Sequence, residues 1–227
     1  MNSYKKNAVI AGVLFLTAMA ASLLGGGLIE SVLTAPDYIS TISSNTSMIF
    51  IGVFLEFINA AAVVGIAVIL FPVLKKYNES FALGYVSFRI IESIFCIAGA
   101  VIPLILIYLE GKYSRTGAID VNYIKTLIAI FISIRKDLAG IVIPIVFSLG
   151  AFLFYHILYH SKLVPRFISV WGLIGALLIF TLVFLQINMI INIIFVLPII
   201  SNEIFLGIWF IVKGFNLSVI DSRSVDG

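Results

Sequence analysis

Six long apolar runs alternate with short polar breaks along the 227 residues of the chain. They cover residues 8–29, 48–71, 81–109, 138–160, 167–187 and 191–213, and a short polar tail, 214–227, follows the last. A helix of about 20 apolar residues crosses the roughly 30 Å hydrocarbon core of a bilayer. Every run reaches that length. The pattern therefore predicts an all-α fold, a polytopic integral membrane bundle of six transmembrane helices. No linker, repeat or low-complexity tract divides the chain, so a single transmembrane domain is expected. The breaks carry recognisable stop signals: Gly25-Gly26-Gly27 near the end of the first run and Pro72 after the second.

Two stretches read ambiguously. Lys5 and Lys6 precede an apolar run containing Ala18-Met19-Ala20, as in a signal peptide. The run continues to Ile29, beyond that small-residue motif, and an uncleaved first helix is the expectation. Between the third and fourth runs, Asp120–Ile134 is mostly apolar but too short to span alone. It reads either as an outward extension of the fourth helix or as a helix lying at the interface. Asp137 then opens the fourth helix, where a helix dipole favours an acid.

Composition agrees with the pattern. Hydrophobic residues make up 62% of the chain and charged residues 11%, with a mean hydropathy of +1.20. A soluble domain carries about 25% charged residues. The implied partner is the lipid bilayer. The formal charge is only +3, and no basic block suited to nucleic acid is present. The single cysteine, Cys96, cannot form an internal disulfide.

The distribution of basic residues sets an orientation. With the N-terminus cytoplasmic, the inner segments hold eight lysines and arginines, among them Lys5, Lys6, Lys75, Lys76, Lys162, Arg166 and Lys213. The long segment between the third and fourth runs holds five: Lys112, Arg115, Lys125, Arg135 and Lys136. The majority favours both termini in the cytoplasm.

Four charged residues lie inside the apolar runs. From about 1.5 Å of rise per residue, Arg89 and Glu56 lie roughly 12 Å deep, Glu203 roughly 15 Å and Glu92 roughly 16 Å. All four fall near the midplane of a 30 Å core. Arg89 and Glu92 are three apart and share a helix face. Asn59 lies on the face of Glu56, and Asn202 adjoins Glu203. Pro103, Pro144 and Pro198 free backbone carbonyls in three of the runs. One arginine against three glutamates leaves two excess negative charges. A dry interior does not tolerate them. A glutamate takes up a proton, water enters, or a cation binds. Arg89 would hold one glutamate by a bidentate contact.

Three readings follow. The charges fix helix packing, as polar contacts do between membrane helices. Alternatively, Arg89, Glu92, Glu56, Glu203, Asn59 and Asn202 form a ligand or ion site, as intramembrane charges commonly do, in a small transporter or sensor. Or a glutamate serves as acid and base in an intramembrane enzyme. His156 and His160, the only histidines, stand at i and i+4 and can begin a metal site. No third ligand is evident, and the flanking Tyr155 and Tyr159 suit an interfacial aromatic belt. The GxSxG, P-loop and dinucleotide fingerprints are absent, and no cofactor is expected.

Several blocks carry a family resemblance. The first is Leu70-Phe71-Pro72-Val73-Leu74, with Asn78-Glu79-Ser80-Phe81-Ala82-Leu83-Gly84-Tyr85 and Phe88-Arg89-Ile90-Ile91-Glu92. The second is Gly150-Ala151-Phe152-Leu153-Phe154-Tyr155 with Ser161-Lys162-Leu163-Val164-Pro165-Arg166 and Trp171-Gly172. The third is Pro198, Glu203, Gly207, Trp209 and Lys213-Gly214-Phe215. Together they resemble the bacterial membrane proteins grouped as domain of unknown function 4386. That resemblance implies a bacterial plasma membrane and no defined activity. Position 156 departs from it, since a less polar residue than His is expected there, so no histidine role is carried over. Ser161, Lys162, Pro165 and Arg166 fall at headgroup level, where they either bind anionic lipid or set topology.

Overall fold

The computed structural model describes residues 3–113, 121–185 and 189–216. Every regular element among them is helical. The helices are α1 (Ser3–Leu33), the short α2 (Tyr38–Ser44), α3 (Thr46–Leu74), α4 (Glu79–Tyr113), α5 (Val121–Asp137), α6 (Ile143–Ser161), α7 (Arg166–Leu182) and α8 (Met189–Val212). A π-helical turn, Leu138–Val142, joins α5 to α6.

Five stretches are long and apolar enough to cross a membrane: Tyr4–Leu33, Thr46–Leu74, Glu79–Lys112, Asn122–Ser161 and Asn192–Val212. The fifth apolar run of the sequence is the exception. It gives the shorter apolar helix Arg166–Leu182, whose 17 residues rise about 25 Å. Residues 186–188, at the end of that run, lie outside the described residues. Large apolar side chains such as Leu24, Phe54, Ile94 and Val212 are exposed on the outside of the bundle, a surface suited to lipid.

Three boundaries differ from the sequence expectation. Pro72 does not stop the second helix but lies inside α3, which runs on to Leu74. The first helix does not close at its glycine triplet but continues to Leu33. In lipid a broken helix leaves backbone groups without partners, and glycine here serves close approach instead. A Cβ at Gly25 would stand 2.9 Å from the carbonyl oxygen of Gly52 on α3. Likewise, Asp137 does not open a helix; it lies within the continuous helical stretch Asn122–Ser161. The mostly apolar segment before it is thus the extension of the fourth helix, not a separate interfacial one. Pro144 lies in the first turn of α6. It lacks an N–H and its ring crowds the carbonyl four residues back. The hydrogen-bond ladder answers by widening into one π turn.

Six of the helices close into a ring. Going round, α1 packs on α3, α3 on α4, α4 on α6, α6 on α7, α7 on α8, and α8 back on α1. In this order α4 stands opposite α8. Small residues tighten several seams. A Cβ at Gly12 of α1 would stand 2.5 Å from the Gly207 carbonyl oxygen of α8, and one at Gly175 of α7 would press on Ile199 of α8 at 3.0 Å. Two apolar clusters fill the ring. The larger gathers Phe15, Leu70, Tyr85, Phe154, Leu158 and Phe210 with their neighbours. The other packs Ile29, Ile42, Ile49, Leu106 and Ile128 where α2 and α5 cover the end of α1, α3 and α4.

The Gly12–Gly207 approach is backbone against backbone, so no side chain can swing aside. Gly12→Ala should lower the stability of the purified protein by about 1–3 kcal/mol. Gly26→Ala, with no neighbouring atom within 4 Å of the added carbon, should change it by less than about 0.5 kcal/mol. Thermal unfolding of both variants in detergent compares them directly.

Candidate functional site

The ring holds a cavity of about 700 Å³. One face of α1 forms a wall, from Phe15 through Met19, Ser22 and Gly26 to Glu30, at the three- and four-residue spacing of a helix stripe. The π turn forms another through Leu138, Ala139 and Gly140, followed by Pro144 and Phe147 of α6. The helical irregularity thus sits on the cavity wall, as such turns often do at functional sites. Most of the lining is apolar, and its charges are concentrated in two places.

The first is Arg89 on α4. Its side chain is buried, and its Nη1 donates to both carboxylate oxygens of Glu92 at 3.1 and 3.0 Å. That is one nitrogen serving two oxygens, not a fork of two. Nη2 lies 3.7 Å from Glu203 Oε1 of α8, within ion-pair reach but beyond a hydrogen bond. This pairing reaches across the ring between opposite helices. The guanidinium also lies 5.5 Å from the ring of Tyr85 and 5.1 Å from that of Phe147, distances at which aromatic faces attract a cation. Its Nε and the buried Tyr85 hydroxyl have no hydrogen-bond partner among the described residues.

The second is Arg135, near the end of α5. Its Nη1 and Nη2 donate to the two carboxylate oxygens of Glu56 on α3, at 3.1 and 2.5 Å. Nη1 also donates to the Gly99 carbonyl of α4 at 2.6 Å. A two-nitrogen fork plus a backbone acceptor joins three helices through one buried group. Gly99 follows Arg89 by ten residues on α4, about 15 Å along the axis. The two guanidinium groups therefore work at different heights of the cavity.

The sequence-derived candidates separate accordingly. Arg89, Glu92 and Glu203 come together. Glu56 lines the same cavity but pairs with Arg135 instead of Arg89. Asn59 also lines it, with its Nδ2 4.0 Å from Cys96 Sγ. Asn202 does not line it. It is fully buried, accepts from the Tyr155 hydroxyl at 2.6 Å and donates to the Ile168 carbonyl at 2.9 Å, which ties α6, α7 and α8 together. His156 and His160 stand side by side with ring centroids 4.4 Å apart, exposed and away from the cavity. Among the described residues, no group of three or more His, Cys, Asp or Glu is placed to hold a metal.

Arg135 was the residue sequence reasoning missed, together with Lys136 and Glu30, which line the same cavity. Its position was legible in principle. Arg135 and Lys136 stand between two apolar stretches, one ending at Ile134 and the other starting at Leu138. A length rule for membrane spans assigns such residues to a loop, whereas a helix longer than the bilayer keeps them inside the bundle. Arg135, Lys136 and Glu30 change the charge balance. The wall bears Arg89, Arg135 and Lys136 against Glu30, Glu56, Glu92 and Glu203. The formal excess is one negative charge, not the two expected from the midplane residues alone.

The chain belongs to the family described as a domain of unknown function (DUF4386), whose model matches residues 10–214. No curated protein and no solved structure matches the chain.

The Arg135–Glu56 pair reads as a clamp, and breaking one side strands a charge. Arg135→Ala and Glu56→Ala should each destabilise the protein by about 3 kcal/mol. The double variant should cost clearly less than the sum, since it leaves no unpaired charge. A double-mutant cycle on thermal unfolding in detergent reads this coupling; additive losses would show that the two groups do not act together.

Proposed function

We propose that this member of the family crosses the bacterial plasma membrane six times with both termini in the cytoplasm. In this reading its charged cavity binds a small ligand or ion, and the protein works as a small transporter or sensor rather than an enzyme. The excess of lysine and arginine in the inner segments supports the orientation. The even number of ring helices supports termini on one side, with α7 crossing as the shortest of them.

One observation carries the ligand reading: a single guanidinium, Arg89, faces two carboxylates, Glu92 and Glu203, on the wall of a roomy cavity. If Arg89 served packing alone, its best contact would join two helices. Instead its closest partner is on its own helix, and its partner on α8 stays beyond hydrogen-bond distance. By contrast, Arg135 and Glu56 have the geometry of a packing clamp. Their charges cancel, and Lys136 and Glu30, both exposed, add one charge of each sign to the lining. The Arg89 cluster is left one positive charge short. A proton or a cationic ligand balances it, and the largely apolar walls suit an amphipathic cation over a hydrated one.

Two probes of similar size and opposite charge test this reading. Tetraphenylphosphonium should raise the thermal stability of the purified protein, and tetraphenylborate should not. Glu203→Gln removes the excess charge and should abolish the phosphonium effect, while Lys5→Ala, an exposed change, should preserve it. Equal responses to both probes, or a phosphonium response unchanged in Glu203→Gln, would contradict a cation site at this cluster.

A further inference from the structure

A second hollow lies at the end of the bundle where α6 finishes and α7 begins. It measures about 480 Å³ and opens between the α6–α7 turn and the chain leaving α8. Two left-handed turns shape it, at Lys162 (φ 56°) and at Gly214 (φ 73°). The Asn216 amide donates to the Leu163 carbonyl at 2.9 Å and fastens the two segments together. Leu163, Val164 and Phe215 are buried beneath them. The hollow therefore belongs to the folded framework and is not a gap between loose ends.

Its chemistry is one-sided. Lys162, Arg166 and Lys213 line it together with Trp209, and among the described residues no acidic one does. None of the three cations forms an ion pair with a carboxylate among the described residues. Arg166 lies over the Tyr159 ring, at 5.1 Å. Helix dipoles explain part of this arrangement, since Lys162 and Lys213 follow the ends of α6 and α8, where a cation is favoured. They do not explain Arg166. It stands at the start of α7, where a helix favours an anion. The first turn of α7 contains no acid, and Pro165 provides no side-chain cap. A positive helix end and three cations thus converge on one concave space, with no carboxylate on its lining among the described residues.

The surroundings point to where the anion comes from. Two exposed apolar stripes lead away from the hollow. Phe167, Val170 and Ile174 run along α7, and Val212, Ile208 and Ile204 run along α8. Trp209, on the wall, is a residue type enriched at membrane interfaces. A soluble anion would use the basic groups and leave both stripes idle, whereas a lipid uses all of them. We propose that this hollow binds the phosphate of an anionic phospholipid headgroup, with the acyl chains lying along the two stripes. The site is separate from the central cavity and does not depend on the function proposed for it.

Native mass spectrometry of the purified full-length chain tests the assignment, with phosphatidylglycerol and phosphatidylcholine offered at equal concentration. Phosphatidylglycerol should be retained in preference. Arg166→Gln and Lys213→Gln should each weaken that retention roughly fivefold, the contribution of one basic group at an anionic surface. Lys75→Gln, an exposed lysine outside the hollow, should leave it unchanged. Should either hollow variant fail to fold, the wild-type preference between the two lipids still decides the matter. Equal retention of both lipids, or an equal loss in Lys75→Gln, overturns the proposal. Displacement of phosphatidylglycerol by millimolar inorganic phosphate, with phosphate itself bound, assigns the hollow to a soluble anion and overturns the lipid assignment.

Discussion

A guanidinium stays charged under any condition a cell offers, so a bundle that buries one must be built around its partners. Two arginines impose that constraint here, and both act on α4. Arg89 projects from it toward Glu92 and, across the ring, toward Glu203 of α8. Arg135 reaches α4 from outside through the Gly99 carbonyl while holding Glu56 of α3. These contacts lie between the two apolar clusters. The interior is therefore two greasy plugs with a charged, hollow layer between them, and not one continuous core. The ring closure, the extended α5–α6 helix and the π turn all contribute walls to that layer.

The two arginines look alike in composition and differ in geometry. Arg135 makes three short contacts to two helices besides its own, the arrangement expected where an ion pair fixes helix positions. Arg89 is incompletely served. It offers one nitrogen to a neighbour on its own helix, has a long contact to Glu203, and leaves Nε without a partner among the described residues. Buried polar groups are normally satisfied, and exceptions call for a cause. The ligand site proposed for this layer would supply one, since a group saturated by the protein has nothing left for a ligand.

Much of this was visible in the sequence because bilayer physics is simple. Run length predicted the helices, and helical spacing predicted that Arg89 and Glu92 share a face. Depth counting brought Glu203 to the level of Arg89. What failed was reasoning about one helix at a time. Gly25-Gly26-Gly27 read as a stop because glycine weakens an isolated helix, yet Gly25 is where α1 touches Gly52 of α3. Arg135 was counted with the segment outside the spans because its helix outruns the length rule for a span. Asn202 read as part of the site because it adjoins Glu203, but consecutive residues on a helix point in different directions. Its amide is engaged by Tyr155 and Ile168. In each case the missing information was the identity of the neighbouring helix.

The central claim is that the layer between the apolar clusters is an open cavity with an excess of negative charge. The chain carries its own reporter there, because its single cysteine, Cys96, lies on the cavity wall between the two charged levels. The most direct measurement compares how fast Cys96 in the folded protein is labelled by methanethiosulfonate reagents that are alike in size and carry either a trimethylammonium or a sulfonate group. The account predicts labelling without unfolding, faster with the cation than with the anion. A thiol that reacts only after unfolding, or that reacts as fast with the sulfonate, would contradict it.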